Sequence, residues 1–404
     1  MPKILRIANR FNLGGPTFNV AYLTKYLPDT YETLLIGGDK EENEASSSHI
    51  LSDLGITPVI VPEMQREISL GVDMAAYRAI EKIIDDFKPD IVHTHASKPG
   101  AIGRLAAHNR KVPVIVHTFH GHYFHSYFNK LKTNMFKQIE RSLAKRTSKI
   151  IAISDIQKHE LSIEHKIAPP DKFEVIPLGF DLDRFRTDTD SKRADFRNEF
   201  KIKDDEIAVG IIGRLVDVKD HRYFLRLAKQ VLDKTTKKVR FFIVGDGEMR
   251  EELESYCGEI SIQFNAFPEY QPANAPLTFC SWRNDIDKIN AGLDIVILTS
   301  KNEGTPVSLI EAQASGTPVV STNVGGVENV VEHGTTGLLA GFDDESKMAE
   351  NLMSLIESDE LRNEMAGKGW SHVGERFHYS QLTSKMDALY QQLLGQNALH
   401  FKHD

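Results

Sequence analysis

Cysteine is scarce. Only Cys257 and Cys280 occur in 404 residues, so no disulfide framework is implied and a reducing, cytoplasmic setting is expected. Long apolar runs are missing as well. No stretch of about 18 apolar residues exists to span a membrane, and the start Met1-Pro2-Lys3-Ile4-Leu5-Arg6-Ile7-Ala8 lacks the apolar region of a signal peptide. Basic excess is absent: 49 Lys and Arg against 57 Asp and Glu give a net charge of -8 and a pI near 6.1. A nucleic-acid partner is therefore not expected, because neutralising phosphates requires a basic surface. Zinc-type spacing is lacking too. His117, His120, His122 and His125 fall on a strand end and loop with no carboxylate partner, and His93 and His95, alternating along a strand, are expected to point to opposite faces. There is no internal repeat and no low-complexity segment. What remains is an ordinary composition, 41% hydrophobic and 26% charged, sufficient for two cores.

Strand-like and helix-like segments alternate, which implies βαβ units and mostly parallel sheets. A first set runs from Lys3–Ile7 through a helix near Thr17–Tyr26, Thr33–Gly37, a helix over Met74–Phe87, Asp90–His93, Pro113–His117, a basic helix and Lys149–Ser154. A second set comprises Ile207–Gly213, Arg240–Gly245, Asp294–Leu298 and Pro318–Ser321. The polar stretch Thr187–Lys192 suits a linker. Phe377, Leu382, Met386, Leu389, Tyr390 and Leu393 recur at helical spacing in the tail.

The chemistry concentrates after the apolar strand ending at Leu298. Ser300-Lys301-Asn302-Glu303-Gly304-Thr305-Pro306-Val307-Ser308-Leu309-Ile310-Glu311 places two carboxylates eight residues apart across a helix start. Thr305 is a good N-cap, Pro306 fits the first helical position and Gly316 a stop. The free N–H groups of such a helix, with Val307 in its first turn, favour a diphosphate, and Gly304 lets backbone approach closely. Carboxylates repel phosphate, so Glu303 and Glu311 are better suited to accept hydrogen bonds from sugar and ribose hydroxyls. Gly213-Arg214-Leu215-Val216-Asp217-Val218-Lys219 follows another strand end and offers two cations, one a bidentate guanidinium and one a point charge. Asn12-Leu13-Gly14-Gly15 resembles a phosphate loop but lacks dinucleotide spacing. For Asp246, in the turn Gly245-Asp246-Gly247, helix capping is sufficient.

Taken together these motifs resemble the retaining GT-B glycosyltransferases of family four, in the bacterial branch that builds capsule, exopolysaccharide and lipopolysaccharide. Gly316-Thr317-Pro318-Val319 to Gly325-Gly326-Val327, His93-Thr94-His95-Ala96-Ser97-Lys98-Pro99-Gly100, His117-Thr118-Phe119-His120-Gly121-His122 and Ile176-Pro177-Leu178-Gly179 carry the likeness. Val327-Glu328 departs from the family's Pro-Glu after the glycine pair. The resemblance implies two Rossmann-like α/β domains with parallel sheets facing across a cleft. These are residues 1–186 for the acceptor, with a helix over 378–404 packing back on them, and 187–377 for the nucleotide sugar.

It also implies roles. Glu303 binds donor-sugar hydroxyls, Glu311 the ribose, and Arg214 and Lys219 the diphosphate. Gly213, Asp246, Gly304, Thr305, Pro306 and Val307 line the donor site, and backbone near Arg283 meets the base. Gly14 and Gly15 close over the phosphates, and His120 lines the sugar site. Asp181-Leu182-Asp183 falls in the family's interdomain segment beside Arg184, so no metal is expected there, and no cofactor is expected beyond the substrate. The expected reaction moves a sugar, from a UDP-sugar in preference to a GDP-sugar, to a hydroxyl of a glycan or lipid-linked acceptor. The alternative is a sugar-nucleotide epimerase or phosphorylase of the same fold. The segment Tyr123–Lys149, with seven Lys or Arg and one Glu among its aromatics, is expected to give peripheral contact with an anionic membrane surface.

Overall fold

The computed structural model describes residues 1–11, 15–39, 48–65, 67, 69–121, 130–269 and 275–400. Gly14, His122, His125 and the aromatics Tyr123, Phe124, Tyr127 and Phe128 lie outside them. The chain divides into two compact units, Met1–Phe180 with Phe377–Asp404, and Asp181–Arg376.

The first unit contains seven strands: β1 Lys3–Arg10, β2 Glu32–Gly38, β3 Val59–Ile60, β4 Ile91–His95, β5 Val114–Phe119, β6 Lys149–Ala152 and β7 Phe173–Val175. All pair in parallel, in the order β3-β2-β1-β4-β5-β6-β7. Both faces are covered, so the central strands are buried on both sides rather than alternating, with Arg6, His93, His95 and His117 buried among their apolar residues. Ile4, Ile91, Val114 and Val116 face the helices Gly15–Lys25 and Tyr379–His400, the second supplying Leu382, Met386, Leu389, Tyr390 and Leu393. Leu5, Ile7, Val92 and Ile115 face Ala76, Ile80 and Ile84 of Leu70–Phe87 and Ala106 and Ala107 of Ser97–Asn109.

The second unit repeats the plan with β8 Glu206–Ile212, β9 Lys238–Val244, β10 Phe264–Ala266, β11 Leu277–Phe279, β12 Ile295–Leu298, β13 Val319–Thr322 and β14 Gly337–Ala340. The sheet is again parallel, ordered β10-β11-β9-β8-β12-β13-β14. Its core is built on Phe224, Phe241, Ile243, Phe279, Ile295 and Ile297. The strands β3, β7, β10 and β11, of two or three residues each, are too short for periodicity to reveal them.

The polar stretch proposed as a linker is partly helical. From Thr189 it forms the helix Thr189–Glu199, whose Phe196 is fully buried. Arg193 and Arg197 grip Asp294 at 2.6 and 3.2 Å, and Asp294 also accepts from the Ala208 N–H at 2.7 Å. The tail divides at His378 into the helices Asp359–Phe377 and Tyr379–His400. Among the described residues no helix is long and apolar enough to cross a membrane.

Candidate active site

The strand order switches direction between β1 and β4 in the first sheet and between β8 and β12 in the second, where β11 also lies between β9 and β10. Loops leaving neighbouring strands there turn to opposite faces and open a crevice at the carboxyl edge. In the second unit the two loops are tied together. The Thr299 hydroxyl lies 3.1 and 3.0 Å from the carbonyls of Lys219 and Asp220, and the Lys301 N–H donates to the Val218 carbonyl at 2.8 Å. Lys219 ends a short 3-10 turn, and Asp220 then takes a left-handed conformation (φ 45°) and caps the helix His221–Lys234 through Tyr223 N–H. Even a Cβ at Gly213 would only touch the Lys219 stem, at 3.7 Å.

That arrangement delivers Lys219 Nζ to Glu303 Oε1 at 2.6 Å, with the two side chains 23% and 9% exposed. The Ser300 hydroxyl donates to the same oxygen at 2.5 Å. Behind the carboxylate the chain is braced by the glycine pair. The Gly326 N–H donates to the Glu303 carbonyl at 2.9 Å, and Gly325 sits at φ 54°. A Cβ on Gly325 would fall 2.0 Å from the Glu303 carbonyl oxygen, and one on Gly326 1.8 Å from that of Gly304. Gly304 itself is different, because a Cβ there meets nothing within 4 Å.

The helix carrying Glu311 spans Val307–Ala314 with Pro306 as its N-cap. Both expected boundaries move by one residue: Thr305 precedes the cap and Val307 opens the helix. Pro306 adopts ψ 93°, outside the helical region, and no side chain caps the first turn. The end is a Schellman arrangement, with Gly316 N–H to Gln313 at 3.1 Å, Thr317 N–H to Ala312 at 2.9 Å and Gly316 at φ 72°. Glu311 is mostly enclosed. Burial raises its carboxyl pKa to about 7, against the pull of Arg184, whose guanidinium stands 3.9 Å away.

Arg214 is exposed and its guanidinium has no hydrogen-bond or ionic partner among the described residues. Asp246 lies in the next loop, which is laced to the first by Gly213 N–H to Val244 and Leu215 N–H to Asp246, at 2.9 and 3.0 Å. Gly245 has φ 136°, and a Cβ there would strike the Gly213 carbonyl at 2.0 Å. Asp246 does not cap the following helix, whose N-cap is Met249. It accepts instead from the Gly247 N–H at 2.8 Å and the Ser281 hydroxyl at 2.7 Å, fixing one loop to the next. The Arg283 guanidinium is occupied by Glu199, at 2.5 and 3.0 Å, and by Asp285, at 2.8 and 2.7 Å, so it anchors its loop and leaves Trp282, 58% exposed, before it.

In the first unit Gly15 opens the helix Gly15–Lys25 that follows β1. His93 and His95 do not point to opposite faces. Residues two apart on a strand share a face, and the rings lie 4.2 Å apart between centroids. His95 Nδ1 is 3.0 Å from His120 Nε2, while His93 meets the Tyr390 hydroxyl at 2.6 Å and that of Thr118 at 2.8 Å. Desolvation lowers the His120 pKa to about 4 and holds the buried His93, His95 and His117 well below the usual imidazole range, so the cluster is neutral near pH 7. Among the described residues no group of His, Cys, Asp or Glu is placed to hold a metal ion.

The structure thus brings Lys219, Glu303, Gly304 and the start of the Glu311 helix to one sheet edge, with Arg214 on the loop that bears Lys219. Two neighbours of these groups, Ser300 and Arg184, were not assigned such contacts from sequence. Ser300 lies one turn ahead of Glu303, a spacing that signals contact only once the chain after β12 is known to turn. Arg184 is remote in sequence from Glu311 and leaves no local signal.

The model described as Glycosyltransferase Family 4 matches residues 13–184, and that described as Glycosyl transferases group 1 matches residues 192–370. The UDP-Gal:alpha-D-GlcNAc-diphosphoundecaprenol alpha-1,3-galactosyltransferase of Escherichia coli is 30% identical over 341 residues, 84% of each protein. The capsular polysaccharide biosynthesis glycosyltransferase CapM of Staphylococcus aureus is 23% identical over 84% of this chain and 86% of its own. Among solved structures, HepE of Anabaena in complex with UDP superposes with a TM-score of 0.79 at 20% identity, covering 96% of this chain and 100% of that one. These matches and the two parallel seven-stranded sheets agree: the chain belongs to the family-four glycosyltransferases of the GT-B fold.

Proposed function

We propose that this glycosyltransferase is retaining and metal-independent, and that it transfers a sugar from a UDP-sugar to a hydroxyl of a glycan or lipid-linked acceptor in bacterial surface polysaccharide synthesis. The carrying observation is the Lys219–Glu303 pair at 2.6 Å beside Gly304, over which nothing lies within 4 Å. One place then offers a cation for a diphosphate, an acceptor for sugar hydroxyls and backbone open to approach. Lys219 and the unpaired Arg214 neutralise the charge that grows on the leaving diphosphate. Glu311 accepts from the ribose. The acceptor is assigned to the amino-terminal unit, and His120, neutral near pH 7, can hydrogen-bond a sugar hydroxyl only once its Nε2 leaves His95, since its Nδ1 is buried. Support for uridine comes from the relative named for UDP-Gal and from HepE, solved with UDP and with UDP-glucose. Support for a surface contact comes from the helix Lys130–Ala144, where Met135 and Ile139 are 53% and 42% exposed on a basic element.

Thermal shift with a panel of UDP- and GDP-sugars tests the donor assignment, since a ligand at 100 times its dissociation constant stabilises by about 2.7 kcal/mol. A UDP-sugar is expected to raise the midpoint most. Stabilisation by GDP-sugars alone would overturn the base, and no stabilisation by any of them would overturn the donor site.

A further inference from the structure

Glu303 is held unequally. Both of its bonds, from Lys219 Nζ at 2.6 Å and from the Ser300 hydroxyl at 2.5 Å, fall on Oε1, and Oε2 has no protein partner among the described residues. Lys219 also has a second claim on it if it binds a diphosphate, because an ammonium has one charge and a phosphate oxygen competes with a carboxylate oxygen for it. When Lys219 turns to the phosphates, the carboxylate loses its cation at the moment it must accept from the donor sugar. The Ser300 hydroxyl has no such competing duty. Ser300 is completely buried, its carbonyl accepts from the Thr322 hydroxyl at 2.8 Å, and its neighbour Thr299 is bound to the Lys219 loop. It is therefore fixed from β13 and from the loop after β8 whatever Lys219 does.

We propose that Ser300 is a positioning residue: it holds Oε1 of Glu303 while Lys219 passes from the carboxylate to the donor diphosphate, leaving Oε2 to accept from the sugar. The inference rests on the reading of Glu303 and Lys219 given above. It differs from a packing role in what it predicts. Ser300→Ala removes one hydroxyl and leaves the backbone bonds of the loop in place. UDP makes no use of the sugar-facing oxygen, so UDP affinity should stay, whereas turnover should fall.

The test measures UDP binding by calorimetry and UDP release from UDP-galactose and UDP-glucose in water without acceptor, for the wild-type chain, Ser300→Ala and Glu303→Ala. Loss of a hydrogen bond to a charged group should lower kcat of Ser300→Ala about tenfold or more with UDP affinity within about twofold. An unchanged kcat in Ser300→Ala, while Glu303→Ala is impaired, overturns the proposal and leaves the reading of Glu303 standing. Parallel loss of kcat and UDP affinity in Ser300→Ala shows a collapsed loop and also overturns it. Full turnover in Glu303→Ala overturns the underlying reading instead.

Discussion

At the scale of single residues, the two glutamates of the site differ in what holds them, and that difference separates their expected phenotypes. Glu303 occupies Lys219 in the free protein at 2.6 Å. Glu303→Ala should therefore cut turnover sharply while leaving UDP affinity equal to or tighter than wild type, because the freed ammonium no longer has to leave a carboxylate. Glu311→Ala should weaken binding of bare UDP, by roughly 1.5 to 3 kcal/mol if its partner is the ribose. Calorimetry with UDP checks both, and the reverse pattern would contradict the assignment. Glu311 also sets a pH dependence. Its raised pKa of about 7 means that it is protonated below that value and ionised above it. Binding ribose hydroxyls draws on the ionised form, so UDP affinity should fall as pH drops from 8 to 6, with proton release on binding near pH 7, and Glu311→Gln should abolish that slope. The free protein shows the opposite linkage. A carboxyl whose folded pKa is raised favours folding below its unfolded value and loses that contribution as pH rises through about 7, so Glu311→Gln should raise the unfolding midpoint at pH 8 but not at pH 4. The residue types and their spacing were legible in the sequence. The environment that moves the Glu311 carboxyl was not, because it depends on packing and on Arg184 from a distant segment.

At the scale of elements, the glycines show which positions the fold itself requires. Gly326 presses on the Gly304 carbonyl at 1.8 Å for a built Cβ, whereas Gly304 has open space. Gly326→Ala is thus expected to displace the Glu303–Gly304 backbone, lowering stability by about 1 to 3 kcal/mol as overpacking does, together with turnover. Gly304→Ala should leave stability within about 0.5 kcal/mol while weakening the UDP-sugar, because any obstruction there falls on the ligand. Denaturant melts and donor binding for the pair separate the two cases, and equal destabilisation by both would refute the distinction. Sequence patterning located the long strands because they are apolar and β-branched, and the Glu311 helix by its stop at Gly316. It misplaced the helix start by a residue where Pro306 takes an extended conformation, and it read Thr187–Lys192 as linker because its polar face is what the sequence shows, while Phe196, Arg193 and Arg197 bind the helix from Thr189 to the sheet. It also set His93 and His95 on opposite faces, an error in period: side chains two apart on a strand fall together.

At the scale of the whole molecule, the charge balance and the reaction course can be argued from one inventory. Arg214, Lys219 and a helix start without a side-chain cap supply positive charge without a metal ion, so transfer is expected to persist in excess EDTA. Loss of activity on chelation, restored by magnesium or manganese, would refute metal independence. The proposed retention rests mainly on the likeness of Glu303 and Glu311 to the carboxylate pair of the retaining family, and the bases in the amino-terminal loops are consistent with it. An inverting transfer needs a group to deprotonate the acceptor opposite the leaving group. The segments Phe11–Thr17 and Phe119–His125 of the amino-terminal half contain no Asp or Glu. His120 is the remaining basic side chain of its kind there that the structure describes. Its Nε2 meets His95 at 3.0 Å, its Nδ1 is buried, and its pKa near 4 makes it a weak proton acceptor. A leaving diphosphate on the same face as the acceptor needs no protein base, because its own oxygen can take the proton. An α-linked donor should therefore give an α-linked product. Proton NMR of the new anomeric signal decides the matter, since a small coupling supports retention and the large coupling of a β-linked gluco- or galacto-configured product would overturn the proposed mechanism.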